Sequence, residues 1–430
     1  MNAEQLRSLQ PALGSWIERF RVCFKRETTF EHFRCYLLGL MAELKRKSVE
    51  PIALAAGVAV RTLQEFLAFF VWDHQRMDRQ LTQMVVNRPR GGGRAGGAGD
   101  GGIVVLDASG HAKRGDKTPG VQRQYCGETG KIDNCVIGQH LLYTDNDAKN
   151  PFCCVLASGL FLPECWDADR ERCREAGIPD QVRHRPKWTI ALDQLRDVIA
   201  SGLRPAWAVF DEDYGRVPAF WFGLDAMGQT GVGEVPSNFW CWVKRPACTS
   251  VQACHASRRA DNLCAHSPVF REQEWRRCKV KDTTRGPCVW EFKAARVHLP
   301  DTDGPVSEPT DRMYWLVVMR QPATDEIKYV VSNAPEHTRP EEMMTALLSR
   351  WHVEKWFERA KQEVGLGAFE VRTYTSLIRH WLCCRIAMCF LADQTTRLRG
   401  EKSEDHLRAG GGGGEHALGA NLEDQLALVG

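Results

Sequence analysis

The sequence predicts an α/β (α+β) fold, in which a mixed-sheet core carries a β-rich insertion and follows an all-helical N-terminal domain. Apolar runs in the central region have the length and the flanking turn residues of buried strands, and two of them end in an aspartate. A segment with helical periodicity separates the third run from the fourth. A Gly-rich tract at 91–102, which cannot pack a core, is predicted to link the helical region to the first strand.

The composition is that of a globular protein with more than one compact unit. The chain has 430 residues, of which 43% are apolar and 26% are charged. A length of this order allows about two or three domains, each with its own core. The net charge of +3 does not by itself indicate a partner.

The sequence patterns predict neither export nor a membrane span. Arg7, Glu18 and Arg19 interrupt the apolar positions of the first helix-like segment, which is unlike a secretory signal peptide. The longest apolar run, around residues 66–72, is too short to cross a bilayer. We therefore expect a cytoplasmic protein with no membrane partner, whose 17 cysteines are reduced thiols.

The helical region, residues 1–90, contains a segment that is typical of a helix-turn-helix. Residues 52–58, with Gly57 near their end, favour a helix and a tight turn, and residues 61–67 favour a second helix. This second helix would present Arg61 and Gln64 to base edges in a DNA major groove. A plain helical hairpin is the alternative, because helices that end at glycine are common.

The central region is predicted to alternate strands with helices. The candidate strands are residues 103–107, 136–143, 153–161, 207–211 and 239–244, and a helical pattern runs over 189–201. Three strands, a helix and then a strand is the order of an RNase H-like core, in which the first and fourth strands lie side by side. Asp107 and Asp211, which end those two strands, would then meet at the same end of the sheet.

The two strand-end aspartates predict a cation site. A carboxylate at the mouth of a central strand is costly to desolvate unless it holds a cation or another partner. Two such aspartates, joined by a third carboxylate, suit the binding of two divalent cations. That arrangement catalyses phosphoryl transfer on nucleic acid.

Helical geometry selects Glu354 as the third carboxylate. At about 100° per residue, the apolar side chains of this segment form one stripe, and Glu354 lies on its border beside Arg350 and Lys361. A residue at the edge of a buried stripe can reach a site beside the sheet. Glu358 is the second choice. The alternative is that Arg350, Glu354 and Glu358 form an ordinary i,i+4 ladder of charges.

The spacing of these residues resembles a known signature. Arg350, three residues, Glu354, six residues and Lys361 are similar to the C-terminal signature of a large group of bacterial insertion-sequence transposases with a DDE site. Leu347 stands where that signature usually has tyrosine. The segments around Asp107 and Asp211 also resemble one branch of the group, so the resemblance spans roughly residues 20–395.

The resemblance implies a domain order and a reaction. It implies an RNase H-like DDE catalytic domain at 103–400 with a β-rich insertion at about 245–335. Separately, a second glycine tract at 410–414 predicts a flexible tail at 401–430. Asp107, Asp211 and Glu354 would hold two Mg²⁺ ions, with Mn²⁺ as a substitute. The enzyme would be a DNA endonuclease and strand transferase, and its substrates would be transposon ends and target DNA. It would act as a homodimer on DNA.

Basic side chains near these carboxylates are candidate phosphate contacts. Arg350 and Lys361 would position the scissile bond of the transposon end by contacting its phosphates. Lys113, Arg114 and Arg123 follow Asp107 in the chain and are further candidates. For these last three residues, a solvated surface is the alternative.

Two other functions are alternatives. The chain could be an inactive or domesticated transposase-derived DNA-binding protein, or a host RNase H-like nuclease without strand transfer. The three carboxylates disfavour the first alternative, and the helix-turn-helix pattern disfavours the second. The insertion also carries several cysteines, but no pair has the two-residue spacing of structural zinc, so we expect reduced thiols there.

Overall fold

The structure is a computed structural model, which describes residues 3–88, 100–147, 151–246, 257–283, 286–302 and 307–406. Most of the predicted Gly-rich linker lies outside the described residues, and its last three residues begin the first strand. The predicted tail lies outside them from residue 407 onward, whereas residues 401–406 continue the last helix.

The N-terminal region is helical, as predicted. Its elements are α1 (Ala3–Glu18), a 3-10 helix (Arg21–Cys23), α2 (Glu27–Met41), α3 (Val49–Ala55), α4 (Val60–Ala68) and α5 (His74–Val86). Gly57 has a φ of 66° in the turn between α3 and α4, a left-handed conformation that glycine adopts without strain. The α3–turn–α4 unit therefore has the local order of a helix-turn-helix.

The central sheet contains an RNase H-like core. Its strands are β1 (Asp100–Ala112), β3 (Lys131–Thr144), β4 (Cys153–Leu160), β5 (Arg204–Phe210) and β6 (Gly231–Val235). They lie in the order β4-β3-β1-β5-β6, with β3 antiparallel to β1 and β4, and with β5 parallel to β1 and β6. This order and these directions confirm the predicted fold class.

The remaining elements connect and extend this core. The further strands are β2 (Gln122–Cys126), β7 (Trp240–Cys241), β8 (Arg258–Arg259), β9 (Arg276–Thr283), β10 (Gly286–Pro300), β11 (Pro309–Arg320) and β12 (Ile327–Ser332). The middle helices are α6 (Glu164–Asp167), α7 (Arg170–Glu175), α8 (Lys187–Ala200), α9 (Glu212–Gly215) and α10 (Pro218–Ala226). The later helices are α11 (Ala260–His266), α12 (Pro268–Arg271), α13 (Pro340–Leu348), α14 (Trp351–Glu363) and α15 (Tyr374–His406).

The fifth core strand is not the one that the sequence predicted. Residues 239–244 contribute the short strand β7, which pairs with β8, and an isolated bridge between Trp242 and His298, whereas the core strand is the Gly-rich β6. Glycines disfavour strands, so the pattern of β6 is weak. The fold needs them, because a Cβ at Gly233 would lie 2.1 Å from Cε2 of Phe210 on the neighbouring strand.

The β-rich insertion extends the core sheet. Strand β12 pairs antiparallel with β6, and β11, β10 and β9 follow in order, which gives a path of continuous hydrogen bonding from the core into the insertion. Pairing with β12 also covers β6, which would otherwise be an exposed sheet edge.

The long helix α15 joins the N-terminal helices to the sheet. Arg379 donates to the carbonyls of Phe66, Leu67 and Trp72, at and just after the end of α4. Arg385 donates to carbonyls of β4 and pairs with Asp78 of α5. The apolar part of α15, Tyr374–Arg399, is long enough to cross a membrane by length and composition, but most of it is buried within the described structure.

Candidate active site

Two adjacent strands bring Asp107 and Asp211 together. Leu106 of β1 lies opposite Phe210 of β5 in the parallel register, so the next residue of each chain segment is an aspartate. Strand β5 ends at this point, and the Asp211 carboxylate caps α9 by accepting a bond from the Asp213 amide at 3.0 Å. The structure therefore places the two aspartates as the strand order predicted.

Strand β1 is longer than predicted. It continues past Asp107 to Ala112, still paired with β3, so Asp107 lies within a strand. The polar residues that follow Asp107 favour a loop by composition. They remain in the sheet because the buried residues Ser109 and His111 face covering elements rather than water, with the His111 ring 5.6 Å from that of Phe369.

Burial and mutual repulsion oppose the ionisation of these aspartates. Burial, with the neighbouring Asp211, raises the pKa of Asp107 to about 7, against the opposing effect of Arg350. Burial and Asp213 also raise the pKa of Asp211. A cation that neutralises a carboxylate pair with raised pKa values stabilises the ionised form of both groups.

Arg350 joins Asp107 to Glu354. Its guanidinium lies 3.3 Å from Oδ2 of Asp107 through Nη1 and 2.9 Å from Oε1 of Glu354 through Nη2. Glu354 lies in the first turn of α14, and its side chain is 59% exposed. Glu358, the second choice among the glutamates, is instead bound to Lys355 at 2.6 Å.

The residues present fit a divalent metal by their chemistry. Asp107, Asp211 and Glu354 offer only carboxylate oxygens, which are the ligands that Mg²⁺ prefers. Among the described residues, no group of three or more His, Cys, Asp or Glu side chains has the arrangement of a metal site. The guanidinium of Arg350 is the cation in contact with Asp107 and Glu354 in this structure.

The two lysines near the carboxylates fasten α14 and its following loop to β1. Lys361 donates to the carbonyl of Gly110 at 3.2 Å. Lys113 donates to the carbonyl of Gly367 at 2.6 Å and lies 3.7 Å above the ring of Phe369. Burial lowers the pKa of Lys113 to about 8. Contact of either lysine with DNA stays a prediction, and in this structure both ammonium groups have protein partners.

The other predicted DNA contacts lie in two places. Arg114 and Arg123 are exposed beyond the end of β1 and on β2. Arg61 and Gln64 are exposed on α4, where Arg61 is 87% exposed and pairs with Glu65 at 2.8 Å. The structure thus brings Asp107, the other carboxylates and Arg350 together and holds the α4 residues in the helical region.

Three residues around the carboxylates escaped the sequence reasoning. His140 lies opposite Asp107 on β3 and its Nδ1 is 2.8 Å from the Ser158 hydroxyl. Gln139 is fully buried and accepts a hydrogen bond from the Tyr214 hydroxyl. Burial, together with the nearby Asp107 and Asp211, raises the pKa of Tyr214. Trp351, one turn before Glu354, is partly exposed. The two β3 residues gave no signal because only strand pairing brings them near Asp107.

The insertion shows no metal centre among the described residues. Cys248, Cys254 and His255 lie outside those residues. Cys241 is buried, which raises the pKa of its thiol to about 12. Of the two tryptophans at strand spacing in this segment, Trp242 is in the core and Trp240 is 51% exposed.

The chain is similar in sequence to a family of endonucleases and to one described transposase. A family model described as DDE superfamily endonuclease matches residues 19–287. The chain is also 26% identical over 205 residues to a protein described as "Probable transposase for insertion sequence element IS701" from Microchaete diplosiphon. That match covers 47% of this chain and 48% of the relative, so it spans about half the length of each.

A solved structure also resembles the chain. It is the cryo-EM structure of the piggyBac transposase synaptic complex with hairpin DNA. The superposition covers 96% of this chain and 81% of the piggyBac transposase chain, at 10% sequence identity and a TM-score of 0.40. The family match contains Asp107 and Asp211 but ends before Glu354, whose assignment depends on the spacing signature and on Arg350. Because the match covers more than half of the sequence, the chain belongs to the family of DDE superfamily endonucleases.

Proposed function

We propose that the protein is a transposase that cuts and joins DNA at the ends of an insertion sequence. The observation that carries the proposal is the meeting of Asp107 and Asp211 on neighbouring parallel strands, with Glu354 tethered beside them through Arg350. The endonuclease family and the probable transposase among the relatives support it.

Asp107, Asp211 and Glu354 would hold two Mg²⁺ ions, or Mn²⁺ in their place. When bound, such ions activate the attacking hydroxyl and stabilise the leaving oxygen. The protein's own part is to hold the three carboxylates in place. The Ala108 amide donates to Asp107 at 2.7 Å, the Asp213 amide donates to Asp211 at 3.0 Å, and Arg350 pairs with both Asp107 and Glu354.

The basic residues would contact two different parts of the DNA, its phosphates and its bases. Arg350 has a planar fork that matches a phosphate, and Lys361 lies about two turns beyond Glu354 on α14, so both suit phosphates near the scissile bond. Lys113, Arg114 and Arg123 would extend that contact along the backbone. Arg61 and Gln64 would read bases of the transposon end from α4. We further propose a homodimer on DNA, acting in the bacterial cytoplasm.

A strand-transfer experiment tests the function. Purified protein, MgCl₂, a supercoiled target plasmid and duplexes taken from the DNA on either side of the gene are incubated together. We expect cutting at one defined position in the flanking duplex and covalent joining of that end to the plasmid. Cutting without joining would identify a nuclease, and binding without cutting would identify a retired DNA-binding protein.

A further inference from the structure

Arg350 occupies the position in which a cation is needed. Its two terminal nitrogens each face a different carboxylate, Asp107 and Glu354, which belong to elements far apart in the sequence. The side chains of Arg350 and Asp107 are 22% and 15% exposed, so the Arg350–Asp107 contact is shielded from solvent more than a surface ion pair is. The Glu354 side chain, at 59% exposed, meets the guanidinium from the solvent side. Asp211 and Glu234 lie close enough to Arg350 to favour its charged form.

A bound metal and Arg350 compete for the same two carboxylates. The oxygens Oδ2 of Asp107 and Oε1 of Glu354 that face the guanidinium are lone-pair donors that a divalent cation would also use. A divalent cation between the same carboxylates would also repel the guanidinium at short range. Metal binding therefore favours a conformation in which Arg350 has turned away from Asp107 and Glu354.

DNA offers Arg350 a better-matched partner. A phosphate accepts the guanidinium fork in the same bidentate way as a carboxylate, and the N-terminal end of α14, where Arg350 lies, favours anions. A phosphate that draws Arg350 away leaves Asp107 and Glu354 as unpaired carboxylates, which raises their affinity for metal.

We propose that Arg350 is the counter-ion of the active-site carboxylates in the DNA-free protein, and that a DNA phosphate displaces it so that metal binding and DNA binding reinforce each other. This inference rests on the proposed function. By linkage, any factor by which DNA raises the affinity for metal is also the factor by which metal raises the affinity for DNA. The protein would hold metal tightly only when DNA is present.

The test is a Mn²⁺ titration of the full chain, with free Mn²⁺ measured by electron paramagnetic resonance. Without DNA, Arg350→Gln should bind Mn²⁺ more tightly than the parent, on the order of tenfold, a typical size for coupling between sites. Arg359→Gln is the matched control. It makes the same charge change on α14, nine residues away and so about 180° round the helix, and should bind like the parent.

A second titration adds a flanking-DNA duplex at 4 °C, with the DNA checked as intact afterwards. The duplex should tighten Mn²⁺ binding to the parent and have a much smaller effect on Arg350→Gln. Arg350→Lys keeps a charge but cannot span two carboxylates, so its Mn²⁺ affinity should lie between those of the parent and of Arg350→Gln. This variant replaces Arg350→Gln in the test if the glutamine variant does not fold. If Arg350→Gln and Arg350→Lys both bind Mn²⁺ without DNA no more tightly than the parent does, the inference is wrong.

The Asp107→Asn variant separates this inference from the proposed function. If Mn²⁺ binding depends on Asp107 but is unchanged by Arg350 substitution, only the counter-ion role fails. If Mn²⁺ binding to the parent with DNA does not depend on Asp107, the metal is not at this site, and the proposed function fails as well.

Discussion

At the scale of single residues, the site is a set of carboxylates that the fold keeps close at a cost. Asp107 and Asp211 are partly buried and repel each other, and Arg350 offsets part of that cost. Such groups are common at functional sites because a ligand repays the free energy that their burial costs. Chemistry at this site can therefore be tested residue by residue.

The first prediction concerns the three carboxylates. Asp107→Asn, Asp211→Asn and Glu354→Gln should each slow DNA cutting at least ~100-fold, a typical loss when one charge-stabilising group is removed. Binding to the flanking-DNA duplex should be largely retained, because phosphate contacts come from basic side chains. Gel assays of cutting and of binding measure both effects.

Glu358→Gln is the matched control for Glu354→Gln, since the two glutamates lie one turn apart on α14 and Glu358 is bound to Lys355. It should cut DNA like the parent. Normal cutting by Glu354→Gln together with inactivity of Glu358→Gln would show that the third ligand is Glu358.

The second prediction concerns pH. The pKa of Asp107 is raised from 3.8 to about 7, so between these values the folded protein binds a proton that the unfolded chain lacks. In EDTA, this group's contribution should therefore make the free energy of unfolding fall as pH rises from about 4 to 7, and Asp107→Asn should reduce that fall. Urea unfolding at several pH values measures it, and an identical pH dependence in both proteins would contradict the raised pKa.

At the scale of elements, the placement of Asp211 depends on the close packing of β5 against β6. Gly233 lets β6 approach the ring of Phe210, the residue just before Asp211. Gly215, on α9, is equally constrained, since a Cβ there would lie 2.0 Å from the carbonyl oxygen of Glu234. The site thus depends on glycines that carry no chemistry themselves.

The third prediction tests this packing. Gly233→Ala forces a methyl group against Phe210 and should lower the free energy of unfolding by about 1–3 kcal/mol, the usual cost of overpacking. Gly14→Ala in α1 is the control, because no atom lies within 4 Å of the added Cβ, and it should be neutral or stabilising by up to ~1 kcal/mol. Urea unfolding of both variants measures the difference, and equal stability of the two would contradict the packing argument.

At the scale of the whole molecule, α15 decides how the helical region relates to the sheet. The N-terminal helices and the strands contribute to one continuous apolar core, and Arg379 satisfies carbonyls at the end of α4 from within it. That a DNA-binding domain at 1–90 is separate from a catalytic domain at 103–400 stays a prediction, which concerns whether the two regions unfold independently. A shared core makes independent unfolding costly.

The fourth prediction follows from this shared core. In urea, hydrogen exchange of α4 and of β1 should report one coincident unfolding transition. Arg379→Gln should destabilise both by about 1–3 kcal/mol, the cost of leaving buried hydrogen-bond acceptors, here the carbonyls of α4 and Trp72, unsatisfied. Arg196→Gln, in an exposed pair on α8, should cost less than about 1 kcal/mol. Two separate transitions in the parent protein would instead support independent domains.

The sequence by itself determined the fold class and the candidate chemistry. Apolar runs that end in Asp107 and Asp211 predict buried strands, because strands buried on both faces are continuously apolar. The order of three strands, a helix and a strand predicts that the two are neighbours. Arg350, Glu354 and Lys361 predict a shared helix border because their spacing follows the helical repeat. These signals are local, and a local pattern survives in the sequence alone.

Only the tertiary structure decided which partners these residues have. Strand β6 was missed because its glycines serve Phe210 on another strand, and the continuation of β1 was missed because His111 is covered by elements distant in sequence. The bridge from Asp107 through Arg350 to Glu354 joins positions more than 240 residues apart. Contacts of this kind depend on packing between elements, which no local periodicity records.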